Sequence, residues 1–107
     1  MTNAGTLNRA ETETSSMSNV LSDEEIERGL PDGWERDGDE IRRVYEFDDY
    51  LDGIAFAANV GEVAEEEFHH PEIRIGYGEV EVRFTTHEAD GITDSDLRLA
   101  DLVNDEF

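Results

Sequence analysis

Two runs of alternating apolar residues in the second half of the chain constrain its fold most strongly. The runs place apolar side chains at every second position: Ile73, Ile75 and Tyr77 in the first, and Val80, Val82 and Phe84 in the second. Alternation with a period of two is typical of β-strands that bury one face. Because Gly78-Glu79 between them fits a two-residue turn, the runs predict an antiparallel hairpin.

A long amphipathic helix is predicted just before this hairpin, from Asp49 to about Phe68, with Asp48 as its cap. Its apolar stripe advances by alternating steps of four and three residues: Tyr50, Ile54, Ala57, Gly61, Ala64 and Phe68. Such spacing keeps the side chains on one helix face. Pro71 disfavours helical geometry at the residue before it, so the helix is expected to end at His69 or His70.

Two further helices begin at capping-box patterns. Ser22-Asp23-Glu24-Glu25 opens a short helix that runs through Ile26 and is expected to stop near Gly29. Thr93-Asp94-Ser95-Asp96 opens a final helix. The apolar residues of the final helix share one face: Leu99, Leu102 and Val103.

Two strands are predicted between the first helix and the long one. They span Trp34–Arg36 and Ile41–Phe47, with Asp37-Gly38 as the hairpin turn. Arg43 interrupts the apolar face of the second strand, which indicates a solvated section or a sheet edge. The resulting order α-β-β-α-β-β-α predicts an α+β fold, in which a four-stranded antiparallel sheet carries helices packed on one face.

Residues 1–20 lack any apolar period, and we expect a disordered tail there, followed by one small domain of residues 21–107. Met17 is a second candidate for the native start. No apolar run reaches membrane-spanning length, and the first residues lack the pattern of a secretory signal. We therefore expect a cytoplasmic protein.

Acidic side chains far outnumber basic ones, at 29 against 8, which gives a formal net charge of −21 at pH 7. Such a surface repels phosphates, so neither nucleic acid nor an anionic membrane is an expected partner. Highly acidic chains are often disordered, but the apolar periodicity of this chain is typical of a folded domain. We interpret it as the surface of a halophile's protein, which stays soluble when salt screens its self-repulsion. The chain has no cysteine, which excludes disulfides, thiol nucleophiles and Cys-ligated zinc.

The three histidines are candidates for acid/base chemistry. His69 and His70 end the long helix, and Glu65 lies four residues before His69 on the same predicted helix face. His87 follows the second strand of the hairpin and approaches the pair if the hairpin folds back beside the helix end. The helix carbonyls and Glu65 favour a protonated imidazole. A second, neutral imidazole can accept a proton, and this pairing is what a dehydration needs.

Each of these residues also has a purely structural interpretation. His69-His70 can be a polar helix end, and Glu65 can be one more solvated acid. His87 can be an ordinary strand-end residue. Asp96 fits a helix cap, and Tyr77 fits turn or core packing. The spacing alone leaves these alternatives open.

The run AEEEFHHPEIRIGYGEVEVRFTTHEADGITDSDLRLA resembles the signature of the pterin-4a-carbinolamine dehydratases. That signature is an acid four residues before His-His-Pro, followed by an aromatic residue, a histidine and an aspartate. The matching positions here are Glu65, His69, His70, Pro71, Tyr77, His87 and Asp96. The resemblance covers residues 21–107. Ile73 stands where the family often has an aromatic residue, so the rim of the pocket is expected to differ.

The resemblance implies that the protein dehydrates 4a-hydroxytetrahydropterin to quinonoid dihydropterin without a metal or an organic cofactor. It implies catalytic roles for His69, His70, His87 and Glu65, and substrate-binding or supporting roles for Pro71, Tyr77 and Asp96. Which histidine is the acid and which the base stays open. The resemblance also implies a homodimer that joins two sheets edge to edge, or a homotetramer built through helices.

Two other functions are open. The histidines, with Glu65 or Asp96, can serve as ligands in a metal-binding protein, although adjacent side chains such as His69 and His70 do not readily share one ion. The same fold can also act as a dimerisation or interaction module without catalysis. The pterin pathway is open too, since the enzyme can serve an aromatic amino acid hydroxylase or act on another pterin.

Overall fold

A computed structural model describes residues 20–107, so the predicted disordered tail lies outside the described residues except for Val20. The elements follow the predicted order α-β-β-α-β-β-α, with one extra 3₁₀ turn before the last helix. Their bounds are α1 Asp23–Gly29, β1 Glu35–Asp37, β2 Glu40–Glu46, α2 Tyr50–Glu67, β3 Glu72–Ile75, β4 Glu79–Phe84, the 3₁₀ helix His87–Ala89 and α3 Asp94–Asp105. Both predicted capping boxes are present, at Ser22 and at Thr93.

The four strands form one antiparallel sheet in the order β1-β2-β4-β3. The two longest strands, β2 and β4, lie at its centre and pair Ile41 with Phe84 and Tyr45 with Val80. The core lies between one face of this sheet and the helices. Its largest members are Ile26, Trp34, Ile41, Tyr45, Phe56, Val60, Val80, Val82, Phe84, Ile92, Leu99 and Val103. The α+β fold with helices on one face is therefore confirmed.

The opposite face of the sheet carries a network of arginines and carboxylates. Glu81 is central to it, because its carboxylate accepts hydrogen bonds from Arg42 at 2.6 Å and Arg83 at 3.1 Å. The bond from Arg42 lowers the pKa of the Glu81 carboxyl below its ordinary value. Cross-strand ion pairs thus tie β1, β2 and β4 together on a face that no helix within residues 20–107 covers.

Arg43 does not mark a sheet edge, since β2 is a central strand. Its guanidinium lies 4.4 Å from the centre of the Tyr45 ring and donates hydrogen bonds to Asn104 Oδ1 and to the Asp32 carbonyl. Asn104 Oδ1 also accepts from Trp34 Nε1 at 3.0 Å and from the Tyr45 hydroxyl at 2.5 Å. A polar cluster around Asn104 therefore accommodates the charge within the apolar face of the strand.

The predicted ends of α2 are slightly wrong. Asp49, not Asp48, is the N-cap, and the last helical residue is Glu67. Phe68 takes the left-handed conformation at φ 55°, which ends the helix in the manner of a glycine cap. The His69 backbone N–H then donates to the Ala64 carbonyl at 3.1 Å. The chain thus leaves the helix before it reaches His69.

The predicted stripe of α2 is only partly correct. The buried residues are Gly53, Phe56, Ala57, Val60 and Ala64, whereas Tyr50 and Phe68 are exposed. The reason is the close approach of the helix to the sheet at Gly53. A Cβ atom there would lie 3.3 Å from Val80 and 3.4 Å from Phe47. Because of this close approach, the buried face of α2 is the face that contains Gly53.

The turn of the second hairpin is also displaced from its predicted position. Gly76 N–H donates to the Glu79 carbonyl at 2.8 Å, so Tyr77-Gly78 forms the tip instead of Gly78-Glu79. Tyr77 consequently leaves the strand and stacks on Tyr50, with ring centres 6.2 Å apart. In the first hairpin the turn residues are Gly38-Asp39, one position after the predicted pair. Within residues 20–107, no helix is both long and apolar enough to cross a membrane.

Candidate active site

The Asp96 carboxylate is the buried centre of the candidate site. Asp96 is the third residue of α3 and is 0 % exposed. Its Oδ2 accepts hydrogen bonds from the Thr93 backbone N–H at 2.9 Å and from the Thr86 hydroxyl at 2.7 Å. The capping-box sequence explains the first of these bonds. The second comes from the segment that follows β4, so Asp96 joins two elements.

His69 completes the coordination of this carboxylate. Its Nε2 lies 2.7 Å from Asp96 Oδ1, and only 17 % of the His69 side chain is exposed. The ring also stacks on Phe84, with centres 5.9 Å apart and planes 19° from parallel. The left-handed turn at Phe68 precedes His69 as the chain leaves α2. The end of α2, the end of β4 and the start of α3 therefore meet at one imidazole.

His70 forms a separate pair with Glu65, in which Nε2 lies 2.6 Å from Oε2. Both side chains are largely exposed, at 61 % and 77 %. The prediction that Glu65 shares a helix face with His69 is wrong, because the helix ends at Glu67 and His69 no longer has helical geometry. The His70–Glu65 pair borders an open groove along α2, lined by Ala58, Gly61, Glu62, Glu65, Glu66 and His70.

His87 begins the 3₁₀ helix and is exposed. It follows Thr86 directly, and Thr86 donates to the same carboxylate that His69 contacts. Thr86 and Gly91 exchange backbone hydrogen bonds at 2.9 and 3.3 Å, which closes the loop that carries His87. The fold therefore brings the His87 segment to Asp96. Convergence of all three imidazoles on one ligand stays a prediction.

The other two predicted residues have different surroundings. Pro71 is half-buried and immediately precedes β3. Tyr77 is 83 % exposed at the far end of β3, roughly 20 Å along an extended chain from Pro71. Within one chain, Tyr77 is thus separated from the histidines, and its role as a pterin contact stays a prediction.

Sequence reasoning missed the contributions of Thr86 and Phe84. Thr86 lies between β4 and His87, and its hydroxyl is 2.8 Å from that of Thr93 as well as bonded to Asp96. Phe84 lies on the predicted buried face of β4 and also forms the stacking surface for His69. No local sequence pattern marks either contact, because both depend on elements that are distant in the chain.

The donor groups do not form an obvious metal centre. Among residues 20–107, no three His, Asp or Glu side chains are arranged to hold a metal ion. His69 and His70 each engage a different carboxylate. The arrangement instead provides imidazoles paired with carboxylates, and such pairs can take up and release protons.

Comparison with known proteins gives consistent matches. The sequence profile of the family described as Pterin 4 alpha carbinolamine dehydratase matches residues 19–106. A Halobacterium salinarum protein named "Putative pterin-4-alpha-carbinolamine dehydratase" is 57% identical over 89 residues, which are 83% of this chain and 98% of that protein. A Natronomonas pharaonis protein of the same name is 58% identical over 85 residues, which are 79% of this chain and 92% of that protein.

Two solved structures share the fold. One is described as a transcriptional coactivator/pterin dehydratase from Brucella melitensis, with a TM-score of 0.77, 31% identity, and coverage of 82% of this chain and 98% of that chain. The other is a pterin dehydratase-like protein described as a RuBisCO assembly factor in the alpha-carboxysome, with a TM-score of 0.57 and 18% identity over 68% of this chain and 84% of that chain. The second likeness concerns the fold alone.

Proposed function

The chain belongs to the pterin-4a-carbinolamine dehydratase family, and from that premise we propose that it converts 4a-hydroxytetrahydropterin to quinonoid dihydropterin and water by histidine acid/base catalysis. The observation that carries this proposal is the pairing of His69 with a buried carboxylate, next to the segment that presents His87. The separate His70–Glu65 pair supplies another imidazole at the same helix end.

The reaction requires one proton to be given and one to be taken. The bond between C4a and the hydroxyl oxygen breaks, and the oxygen leaves as water after it gains a proton. N5 loses its proton, and a double bond forms between C4a and N5. The net proton count does not change, so a pair of imidazoles in opposite protonation states can complete the cycle without a further reagent.

The two histidine–carboxylate pairs have different physical properties. The contact between His69 and Asp96 is largely shielded from solvent, because Asp96 is fully buried and the His69 side chain is 17 % exposed. Glu65 and His70 are both exposed, so solvent screens the attraction between their charges and the pair contributes little energy. In the proposal, His69, His70 and His87 transfer protons and bind the pterin, and Glu65 and Asp96 orient them. Pro71 and Tyr77 have supporting roles at the two ends of β3.

The alternative that this chain is only an interaction module fits the observations less well. The similarity to the carboxysome assembly factor concerns the fold alone, at 18% identity. A module without catalysis has no need for a buried carboxylate that contacts His69 and a second carboxylate that contacts His70. The site therefore favours an enzyme. The metal-binding alternative needs a set of converging ligands, and residues 20–107 do not supply one.

Self-assembly, location and domain limits complete the proposal. Within residues 20–107, the outer strands β1 and β3 each pair with one neighbour, and the proposed homodimer joins two sheets edge to edge at such a strand. A homotetramer through helices is the larger alternative. We further propose a cytoplasmic location and a catalytic domain that spans residues 21–107. The halophile interpretation agrees with relatives from Halobacterium and Natronomonas.

A direct assay tests the proposed function. The 4a-hydroxytetrahydropterin is generated in molar KCl, and the formation of quinonoid dihydropterin is followed by its absorbance with and without the purified full chain. We expect a rate well above the spontaneous one, unchanged after treatment with a chelator. A rate equal to the spontaneous one overturns the dehydratase assignment. Activity that disappears on chelation and returns with metal supports the metal-binding alternative instead.

A further inference from the structure

We propose that Nδ1 of His69 is the atom at which this residue accepts and releases a proton, and that Thr86 is a positioning residue that enforces this by holding Asp96. The role in proton transfer rests on the proposed function. The hydrogen-bond pattern that assigns the atom is independent of that function.

Asp96 Oδ2 already has two donors. The Thr93 backbone N–H, at 2.9 Å, can only donate. The Thr86 hydroxyl, at 2.7 Å, donates the second hydrogen bond. Both of these partners are donors, so Oδ2 acts as the acceptor in both bonds. An ionised carboxylate has no proton to give, so Oδ1 must accept from whatever it contacts.

The atom that Oδ1 contacts is His69 Nε2, at 2.7 Å. Nε2 must therefore carry a hydrogen whether the ring is neutral or charged. In the neutral ring the lone pair then lies on Nδ1. Among residues 20–107, no group hydrogen-bonds His69 Nδ1. This nitrogen is left for a ligand, where it accepts a proton when the ring is neutral and releases one when the ring is charged.

Thr86 helps to hold the plane of the Asp96 carboxylate, so that one oxygen stays directed at His69 Nε2. Its backbone is held by the paired hydrogen bonds with Gly91, and its hydroxyl lies between Thr93 Oγ1 at 2.8 Å and Asp96 Oδ2 at 2.7 Å. Without this hydroxyl, only the cap bond from Thr93 orients the carboxylate, which can then rotate about its Cβ–Cγ bond. Rotation weakens the hydrogen bond to Nε2, and the His69 ring can then adopt either tautomer.

Nitrogen-15 NMR of the full chain tests the assignment without any assay of activity. Long-range proton–nitrogen correlations distinguish a protonated ring nitrogen from one with a lone pair. At a pH where the His69 ring is neutral, we expect Nε2 to be protonated and Nδ1 to carry the lone pair. The opposite pattern in the native chain overturns the proposal.

The Asp96→Asn variant has a side chain of nearly the same shape as the native residue, and it should reverse the tautomer of His69. Its amide oxygen can accept from Thr93 and Thr86, which turns the amide NH₂ toward His69 Nε2. The ring must then accept at Nε2 and carry its hydrogen on Nδ1. We expect an inverted tautomer in the spectrum and a kcat lower by about 10⁴-fold, the size of the effect known for a histidine held in the wrong tautomer. An unchanged tautomer in this variant contradicts the proposal.

Variants at two adjacent threonines separate positioning from a general structural role. Thr86→Val removes the hydroxyl at Asp96, and we expect kcat to fall about tenfold with little change in KM. Thr86→Ser should restore both the rate and the native tautomer. The matched control is Thr85→Val, because the Thr85 hydroxyl donates to the Asp39 carbonyl at 2.6 Å and has no bond to Asp96. Equal rate losses at positions 85 and 86, or failure of the serine to restore the rate, contradict a positioning role.

The NMR spectrum tests the tautomer of His69, and the activity assay tests the proposed function, so either claim can be contradicted alone. If the chain dehydrates no pterin but His69 shows the expected tautomer, the proposed function falls while the atom assignment stands. If the chain is active and the native tautomer is the opposite one, the atom assignment falls alone. The native spectrum decides the tautomer even if a variant does not fold.

Discussion

Glu65 pairs with His70 and not with His69, its expected partner on the helix face, because Oε2 of Glu65 lies 2.6 Å from Nε2 of His70. The helix ends between these residues, and the left-handed Phe68 redirects His69 to the buried Asp96. The two adjacent imidazoles therefore have different carboxylate partners, one buried and one exposed. This difference sets the expected effects of substitution.

The variants His70→Ala and His87→Ala should each lower kcat by at least about 10²-fold if both imidazoles take part in proton transfer. Both side chains are exposed, so their removal should leave the thermal unfolding temperature nearly unchanged. The rate of quinonoid dihydropterin formation in molar KCl is the measurement. Native rates in both variants contradict the assigned roles.

The Glu65→Gln variant should have a smaller effect than His70→Ala. An exposed ion pair contributes at most about 1 kcal/mol, which corresponds to a rate loss of about fivefold or less. The ring signals of His70 in NMR spectra should shift, while those of His69 should not. Glu27→Gln, an exposed change on α1, is the matched control for the loss of one charge. A shift of the His69 signals alone opposes the observed pairing.

Stability should increase with salt. The net charge of −21 makes self-repulsion large, and the screening length falls from about 10 Å at 0.1 M salt to about 3 Å at 1 M. Thermal unfolding followed by circular dichroism at low and at molar KCl measures this effect. A higher unfolding temperature at low salt rejects the halophile interpretation.

The Asn104→Ala variant should lower the free energy of unfolding by about 2–4 kcal/mol, because three donors lose the acceptor that they share. These donors are Trp34 Nε1, the Tyr45 hydroxyl and the Arg43 guanidinium. Urea unfolding in molar KCl is the measurement, and the exposed neighbour Asp105→Ala is the control. Equal stability of the two variants shows that water replaces the missing acceptor.

Glu81 should contribute to acid unfolding. The Arg42 hydrogen bond lowers the pKa of its carboxyl below the ordinary 4.5. The stabilisation is therefore fully present above pH 4.5 and is lost as the pH falls below that value through the folded-state pKa. The unfolding free energy of Glu81→Gln should depend less on pH in this acid range than that of the native chain. Parallel curves for the two proteins exclude the contribution.

Local patterns predicted most elements because their causes are local. The capping boxes at Ser22 and Thr93 and the alternation in β4 depend on neighbours within a few residues, and all three are present. The errors arose where contacts between elements decide. The buried face of α2 follows from the close approach of Gly53 to Val80. The tip of the second hairpin follows from the register of β3 against β4, which pairs Ile75 with Val80.

The sequence by itself determined the order of the elements, the acidic surface and the set of candidate residues, since these depend on residue type and on short spacing. Only the tertiary structure decided which carboxylate meets which imidazole. Asp96 and His69 are 27 residues apart in the chain and meet because α3 packs beside the end of α2. A hydrogen bond needs atoms within about 3 Å, and sequence spacing does not specify such distances between elements that pack through a shared core.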